Sequence, residues 1–105
     1  MRIVALATDL MDRSRITAAI DGVAFARDAA GCADADVVIV DLARFGASVG
    51  EVRRALPTAR IVAFGPHVDE QAAVDAREAG ADLVWPRSRF FRDPSAAISD
   101  ISPPR

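Results

Sequence analysis

The spacing of the continuous apolar runs leaves this chain few possible folds. Val37-Val38-Ile39-Val40 leads into Asp41, Ile61-Val62-Ala63-Phe64 into Gly65, and Leu83-Val84-Trp85 into Pro86-Arg87. Short apolar runs bounded by turn residues read as strands covered on both faces. Helix-like stretches separate them, which is the pattern of βαβ units around a parallel sheet. Residues 2–7 read as the first strand. Asp9 is placed to cap a helix reaching about Ile20, with Ile16, Ala19, Ile20 and Val23 at helical spacing. Gly22 interrupts it, and Val23 to Ala26 reads as a short second strand. Only Arg27 to Asp36 lie between that strand and the third, at 37–41, which is too few for a full crossover helix. A turn or one helical turn is expected there.

Ser48-Val49-Gly50-Glu51 matches the capping-box pattern and opens a helix with Val49, Val52 and Leu56 on one face, stopped by Pro57. The fourth strand spans 60–64, and Gly65-Pro66 turns the chain. Asp69-Glu70-Gln71 starts a helix with acidic residues at the positive end of its dipole. The small apolar face of that helix is Ala72, Ala73, Ala76 and Ala79, and Gly80 ends it at the C′ position. The fifth strand spans 82–85. Asp93-Pro94 opens a last short helix that turns Ile98 and Ile101 inward. Residues 1–102 are expected to form one α/β domain, with 103–105 as a disordered tail.

With 105 residues the chain has room for one core. A 51% hydrophobic and 27% charged composition fits a globular chain and not a disordered one. The formal net charge of −2 gives no electrostatic case for nucleic acid as a direct partner. No apolar stretch is long enough to span a membrane, and Met1 to Ala7 is too short for a signal peptide. One cysteine, Cys32, makes no internal disulfide, and a reducing cytoplasmic location is the expectation. All 13 basic residues are arginine, so lysine chemistry is excluded.

Asp41 is the residue with the most chemical content. A carboxylate closing a buried strand does not serve packing, and the carboxyl ends of parallel strands are where open α/β sheets place their ligands. With Asp41 so placed, the order of these segments, together with Gly65, the helix end Ala79-Gly80-Ala81 and Arg87, resembles the receiver domain of two-component response regulators. That resemblance implies a flavodoxin-like three-layer sandwich with a five-stranded parallel sheet in the order 2-1-3-4-5 and shortened second and last helices. It makes Asp41 the candidate phosphoacceptor. It also implies signalling through a protein partner, a regulator or a kinase, with homodimerisation through the strand-five and last-helix face as a further expectation.

Several positions depart from the receiver pattern. The acidic pair that holds Mg²⁺ at the end of strand one is replaced by Ala7 and Thr8, and Asp9 follows directly. Asp9 with Asp41 forms a weak Mg²⁺ pair on this reading, since Mg²⁺ is typically held by one or two carboxylates plus waters, but the helix cap accounts for Asp9 equally well. Gly65 stands where receivers place a Thr or Ser hydroxyl. Arg87 stands at the receiver lysine and is not its equivalent, and Pro86 precedes it. Leu42-Ala43-Arg44-Phe45-Gly46 lacks the usual proline. These losses point to a degenerate receiver, a pseudo-receiver that is not an enzyme, with no cofactor or only weakly bound Mg²⁺. Two alternatives stand beside it: an atypical active receiver phosphorylated on Asp41 with Mg²⁺, and a nucleotide- or flavin-binding domain. The second lacks a glycine-rich loop after strand one.

Asp41 reads alternatively as a cap of the following loop, and His67 as an exposed loop histidine rather than a base or a ligand. Trp85, Phe90 and Phe91, with Arg87, Arg89 and Arg92 beside them, read either as an interface cluster or as plugs of the core.

Overall fold

A computed structural model describes residues 1–66 and 70–101 of the chain. Five parallel strands form one sheet: β1 (Ile3–Leu6), β2 (Ala24–Ala26), β3 (Val37–Asp41), β4 (Arg60–Gly65) and β5 (Leu83–Pro86), in the order β2-β1-β3-β4-β5. The helices are α1 (Leu10–Ala19), α2 (Leu42–Phe45), α3 (Ser48–Ala55), α4 (Glu70–Ala79), α5 (Arg87–Arg92) and α6 (Pro94–Ile101). A single 3₁₀ turn, Ala30–Cys32, stands where a second crossover helix would lie. His67 and Asp69, and the tail at 103–105, lie outside the described residues.

Both faces of the sheet are covered, which is why the strands are almost uninterruptedly apolar. Successive strand side chains point to opposite faces. Ile3, Ala5, Val37, Ile39, Val62 and Phe64 therefore join one core with Ile16 of α1, Phe90 of α5 and Ile98 of α6. Val4, Leu6, Val38, Val40, Ile61 and Ala63 join the other with Val49 and Val52 of α3 and Cys32 of the 3₁₀ turn. The register pairs Leu6 with Val40, Asp41 with Phe64, and Gly65 with Pro86. The carboxyl ends of β1, β3, β4 and β5 thus form one level rim, with Asp41 on the face that carries Val37 and Ile39.

The opposite rim is tied by Arg53, the sixth residue of α3. Its Nη1 donates to the carbonyl oxygens of Ala59 (2.7 Å), Pro57 (3.1 Å) and Leu56 (3.3 Å). Its Nε and Nη2 donate to the carbonyl of Gly80 at 3.2 and 2.8 Å, and Nη2 also reaches Asp82 at 2.9 Å. Asp82 in turn accepts from the Ile61 N–H at 2.8 Å. Gly80 has φ +123, and a Cβ there would lie 2.7 Å from the Arg53 Cγ. Glycine is required here both by its backbone angle and by this close approach. The α4 terminus closes as a Schellman motif, with the N–H of Ala81 on the Ala76 carbonyl (2.9 Å) and that of Gly80 on Arg77 (3.1 Å).

One sequence expectation needs correction. Ser48 is not a helix cap: it is the first residue of α3, and the preceding Ala47 is in αR with no side-chain capping bond. The backbone stays in αR through Gly46 and Ala47, so α3 continues the path of α2 and has no free N-terminus to cap. The last short helix opens at Pro94 as expected, and a further helix that the sequence did not announce, α5, precedes it and ends at Asp93. Proline disfavours αR in the residue before it.

Candidate functional site

The rim at the carboxyl ends gathers three aspartates and one arginine. Asp41 closes β3 and is 2% exposed. It is also the N-cap of α2, its Oδ1 accepting from the Ala43 N–H at 3.1 Å. Burial pushes the Asp41 carboxyl up from the usual range, while the Ala43 N–H and the charge of Arg87 pull it back in part. Asp9 follows β1 and caps α1, its Oδ1 accepting from the Asp12 N–H at 3.0 Å. Thr8 beside it is exposed.

Arg87, the first residue of α5, does not reach straight to Asp41. Its Nη1 and Nη2 donate to the two oxygens of Asp12, at 3.0 and 2.7 Å, as a planar fork. The guanidinium also lies 5.3 Å from the Phe64 ring and 5.0 Å from the Phe91 ring, the range of cation–π contact. The bond to Asp12 holds Arg87 above its ordinary value, and the charges of Asp41 and Asp9 act in the same direction. Its positive charge is thus shared among the carboxylates of this rim.

Asp12 is the site residue that sequence reasoning missed. It is 3% exposed. The signal was in the chain: Asp12, Ile16 and Ile20 recur at i, i+4 and i+8, so a charged residue occupies the buried stripe of α1. A carboxylate there needs a cation opposite it.

At Gly65 the space that a side chain would enter is tight. A Cβ built there would lie 3.2 Å from Leu42 Cδ1 and 3.4 Å from Leu42 Cβ. The first residue of α2 therefore covers the end of β4. Beside it, an open groove of about 400 Å³ runs between α4 and β5, lined by Leu42, Gly65, Pro66, Val74, Trp85 and Pro86 among others.

The aromatic residues divide. Phe90 is fully buried, stacked on Phe64 with centroids 4.7 Å apart and planes at 12°. It is a core residue, which corrects the expectation of an interface role: a side chain with no exposed surface offers a partner nothing. Phe91 is half-buried and packs edge-on against Phe64 and Phe90, both at 5.0 Å. Trp85 is 7% exposed, and the guanidinium of exposed Arg89 lies 4.2 Å from its ring. The site therefore brings together Asp9, Asp41, Gly65 and Arg87. Trp85 and Arg89 form a separate pair, and Thr8 joins neither.

No family model matches the chain, and no curated protein matches it. Solved structures do. A CheY-like protein (TadZ) from Pseudomonas aeruginosa superposes with a TM-score of 0.77 at 20% identity, over 97% of this chain and 99% of that one. A response-regulator receiver domain from Clostridium thermocellum gives 0.78 at 19% identity, over 94% and 91%. A LuxR-family two-component response regulator from Aurantimonas gives 0.75 at 25% identity, over 95% and 83%. The chain has the flavodoxin-like fold of receiver domains, with the strand order β2-β1-β3-β4-β5 that the fold requires.

Proposed function

We propose that this chain is a receiver-like signalling domain that works by protein–protein contact and accepts a phosphoryl group at Asp41 poorly or not at all. The observation that carries the reading is the fork between Arg87 and Asp12. Phosphoryl transfer is catalysed mainly by positioning and by charge held ready for the transferred group. At this rim the cation is already engaged by a buried carboxylate. Asp41 itself is buried and turned into a helix cap, and Gly65, against which Leu42 packs, carries no hydroxyl.

The residues also fit Mg²⁺ badly. Mg²⁺ favours near-octahedral oxygen ligation, with one or two carboxylates and retained waters. Both oxygens of Asp12 accept from Arg87, and one oxygen each of Asp9 and Asp41 accepts from a backbone N–H. Among the described residues no three Asp, Glu, His or Cys side chains converge as a ligand set.

The partner is taken to be a protein, with contact at the β5 and α5 edge. There Trp85 lies beneath Arg89, next to the groove, with Phe91 partly exposed. Exposed Arg89 and partly exposed Phe91 are the surface a partner would reach there, and arginine is among the residue types that most often anchor such contacts. A second copy of the chain is the simplest occupant of that edge. No helix among the described residues is long and apolar enough to cross a membrane.

The test is acetyl phosphate with Mg²⁺, followed by intact-mass spectrometry, with Trp85 fluorescence recorded in parallel on adding beryllofluoride. The expected result is no phosphoryl adduct and no saturable fluorescence change. A Mg²⁺-dependent adduct that disappears in Asp41→Asn would establish the active-receiver alternative instead.

A further inference from the structure

Asp12 raises a question that the receiver-like reading leaves open. A carboxylate 3% exposed on the core face of a helix is costly unless a cation faces it. Asp41, 2% exposed, closes the neighbouring strand end and adds like charge, so the rim needs positive charge whether or not it signals.

We infer that Arg87 is the resident cation of this rim: its guanidinium stands in for the divalent metal ion with which a receiver-type fold neutralises its acidic strand end. The inference rests on the receiver-like reading and deepens it by assigning the counter-charge. The geometry carries it in two ways. Arg87 meets Asp12 through both nitrogens and both oxygens, the pairing that a planar guanidinium makes and an ammonium does not. Its guanidinium is also placed against Phe64 and Phe91, at 5.3 and 5.0 Å, so the charge is held by packing as well as by the ion pair. A divalent ion that drew on Asp12 would have to break the fork, shed part of its own hydration and tolerate the displaced guanidinium nearby.

The experiment uses the full chain and Mn²⁺ as the probe, read by water-proton relaxation enhancement, with Mg²⁺ competition and thermal unfolding alongside. Wild-type protein is expected to give no saturable Mn²⁺ signal and a Tm that does not move with Mg²⁺. Arg87→Met is expected to bind Mn²⁺ roughly tenfold or more tightly than wild type, a change worth about 1.4 kcal/mol. Mg²⁺ should compete, and Arg87→Met combined with Asp12→Asn should lose the site.

Two outcomes overturn the inference: wild type binding Mn²⁺ as tightly as Arg87→Met, or folded Arg87→Met binding none. If circular dichroism shows Arg87→Met to be unfolded, Arg87→Gln takes its place. The wild-type arm also decides by itself, because a ligand that binds only the native state raises Tm. A Mg²⁺-dependent rise for wild type sinks the inference. Acetyl phosphate labelling separates it from the broader reading. Wild type that binds no Mn²⁺ yet is labelled at Asp41 keeps the inference and removes the pseudo-receiver. Wild type that binds Mn²⁺ but is never labelled does the reverse.

Discussion

The two rims of the sheet are each organised by one arginine, and the two arginines do different work. Arg53, at the amino-terminal rim of β4 and β5, donates mostly to backbone carbonyls: Leu56 at the α3 terminus, Pro57 and Ala59 in the following turn, and Gly80 after α4. These include carbonyls that a helix end leaves without partners. Arg87, at the carboxyl rim, donates to no described backbone carbonyl; its partner is the carboxylate of Asp12, over two aromatic rings. One arginine completes the backbone and the other balances charge. An arginine anchored on orphan carbonyls belongs to the scaffold. An arginine facing a buried carboxylate, on the rim where α/β sheets hold ligands, belongs to the site.

Removing Arg53 is the largest test of this contrast. Arg53→Ala leaves the Gly80 and Ala59 carbonyls without their donor and frees Asp82, which also holds the Ile61 N–H. Hydrogen bonds to charged groups contribute about 1.5–3 kcal/mol each, and the Arg53 side chain is 24% exposed, so water recovers part of the loss. A destabilisation of about 3 kcal/mol is expected in urea unfolding. A loss below about 1 kcal/mol would mean the carbonyls are solvated equally well without the arginine.

Arg87→Met comes next. Breaking a buried pair from one side leaves a charge without compensation, at about 3–5 kcal/mol when fully buried. The Arg87 side chain is 37% exposed, so about 2 kcal/mol is expected. The contrast sharpens in the double replacements. Asp12→Leu with Arg87→Met extends the apolar stripe of Ile16 and Ile20 and should return to within about 1 kcal/mol of wild type. Asp82→Leu with Arg53→Met should not recover, because the carbonyls and the Ile61 N–H remain without partners. Recovery of both pairs, or of neither, would erase the distinction between the rims.

How far the sequence carried this comparison depends on the signal at each place. The apolar runs defined all five strands within a residue at each end, because a sheet covered on both faces permits few polar residues. The short spacer from Arg27 to Asp36 revealed that a crossover helix was missing. The small helix α2 was not legible, since its only marker is Asp41, which also ends β3. Helix α5 follows Pro86 without a side-chain cap and spans only six residues, so neither a cap nor periodicity announced it. The capping-box pattern at Ser48 misled because local chemistry does not show that the chain is already helical on arrival. At the site, Asp9, Asp41 and Arg87 were legible by position. Asp12 was less legible because aspartate in the first turn of a helix is ordinarily a solvated partner of the dipole, and only the fold turns this one inward with Ile16 and Ile20.

The smallest expected effect tests whether the carboxyl rim is balanced completely. Burial is the largest influence on Asp41 and raises its carboxyl above the ordinary value; Arg87 and the Ala43 N–H offset this only in part. The folded state therefore holds the Asp41 proton more tightly than the unfolded chain does. Stability from this group is fully present below the unfolded value, about 3.9, and is lost as pH rises through the higher folded value. At neutral pH the ionised group is a net cost. Asp41→Asn keeps an oxygen to accept from the Ala43 N–H, since asparagine is as good a cap as aspartate, and it removes the charge. It should stabilise the protein by about 1 kcal/mol near neutral pH, raising Tm by about 4–8 °C. Calorimetry across pH then isolates the cause: the gain should shrink as pH falls through the folded value, where wild-type Asp41 becomes neutral too. A gain independent of pH would place its origin in packing. A loss of stability would mean that Arg87 already balances Asp41 as fully as it does Asp12.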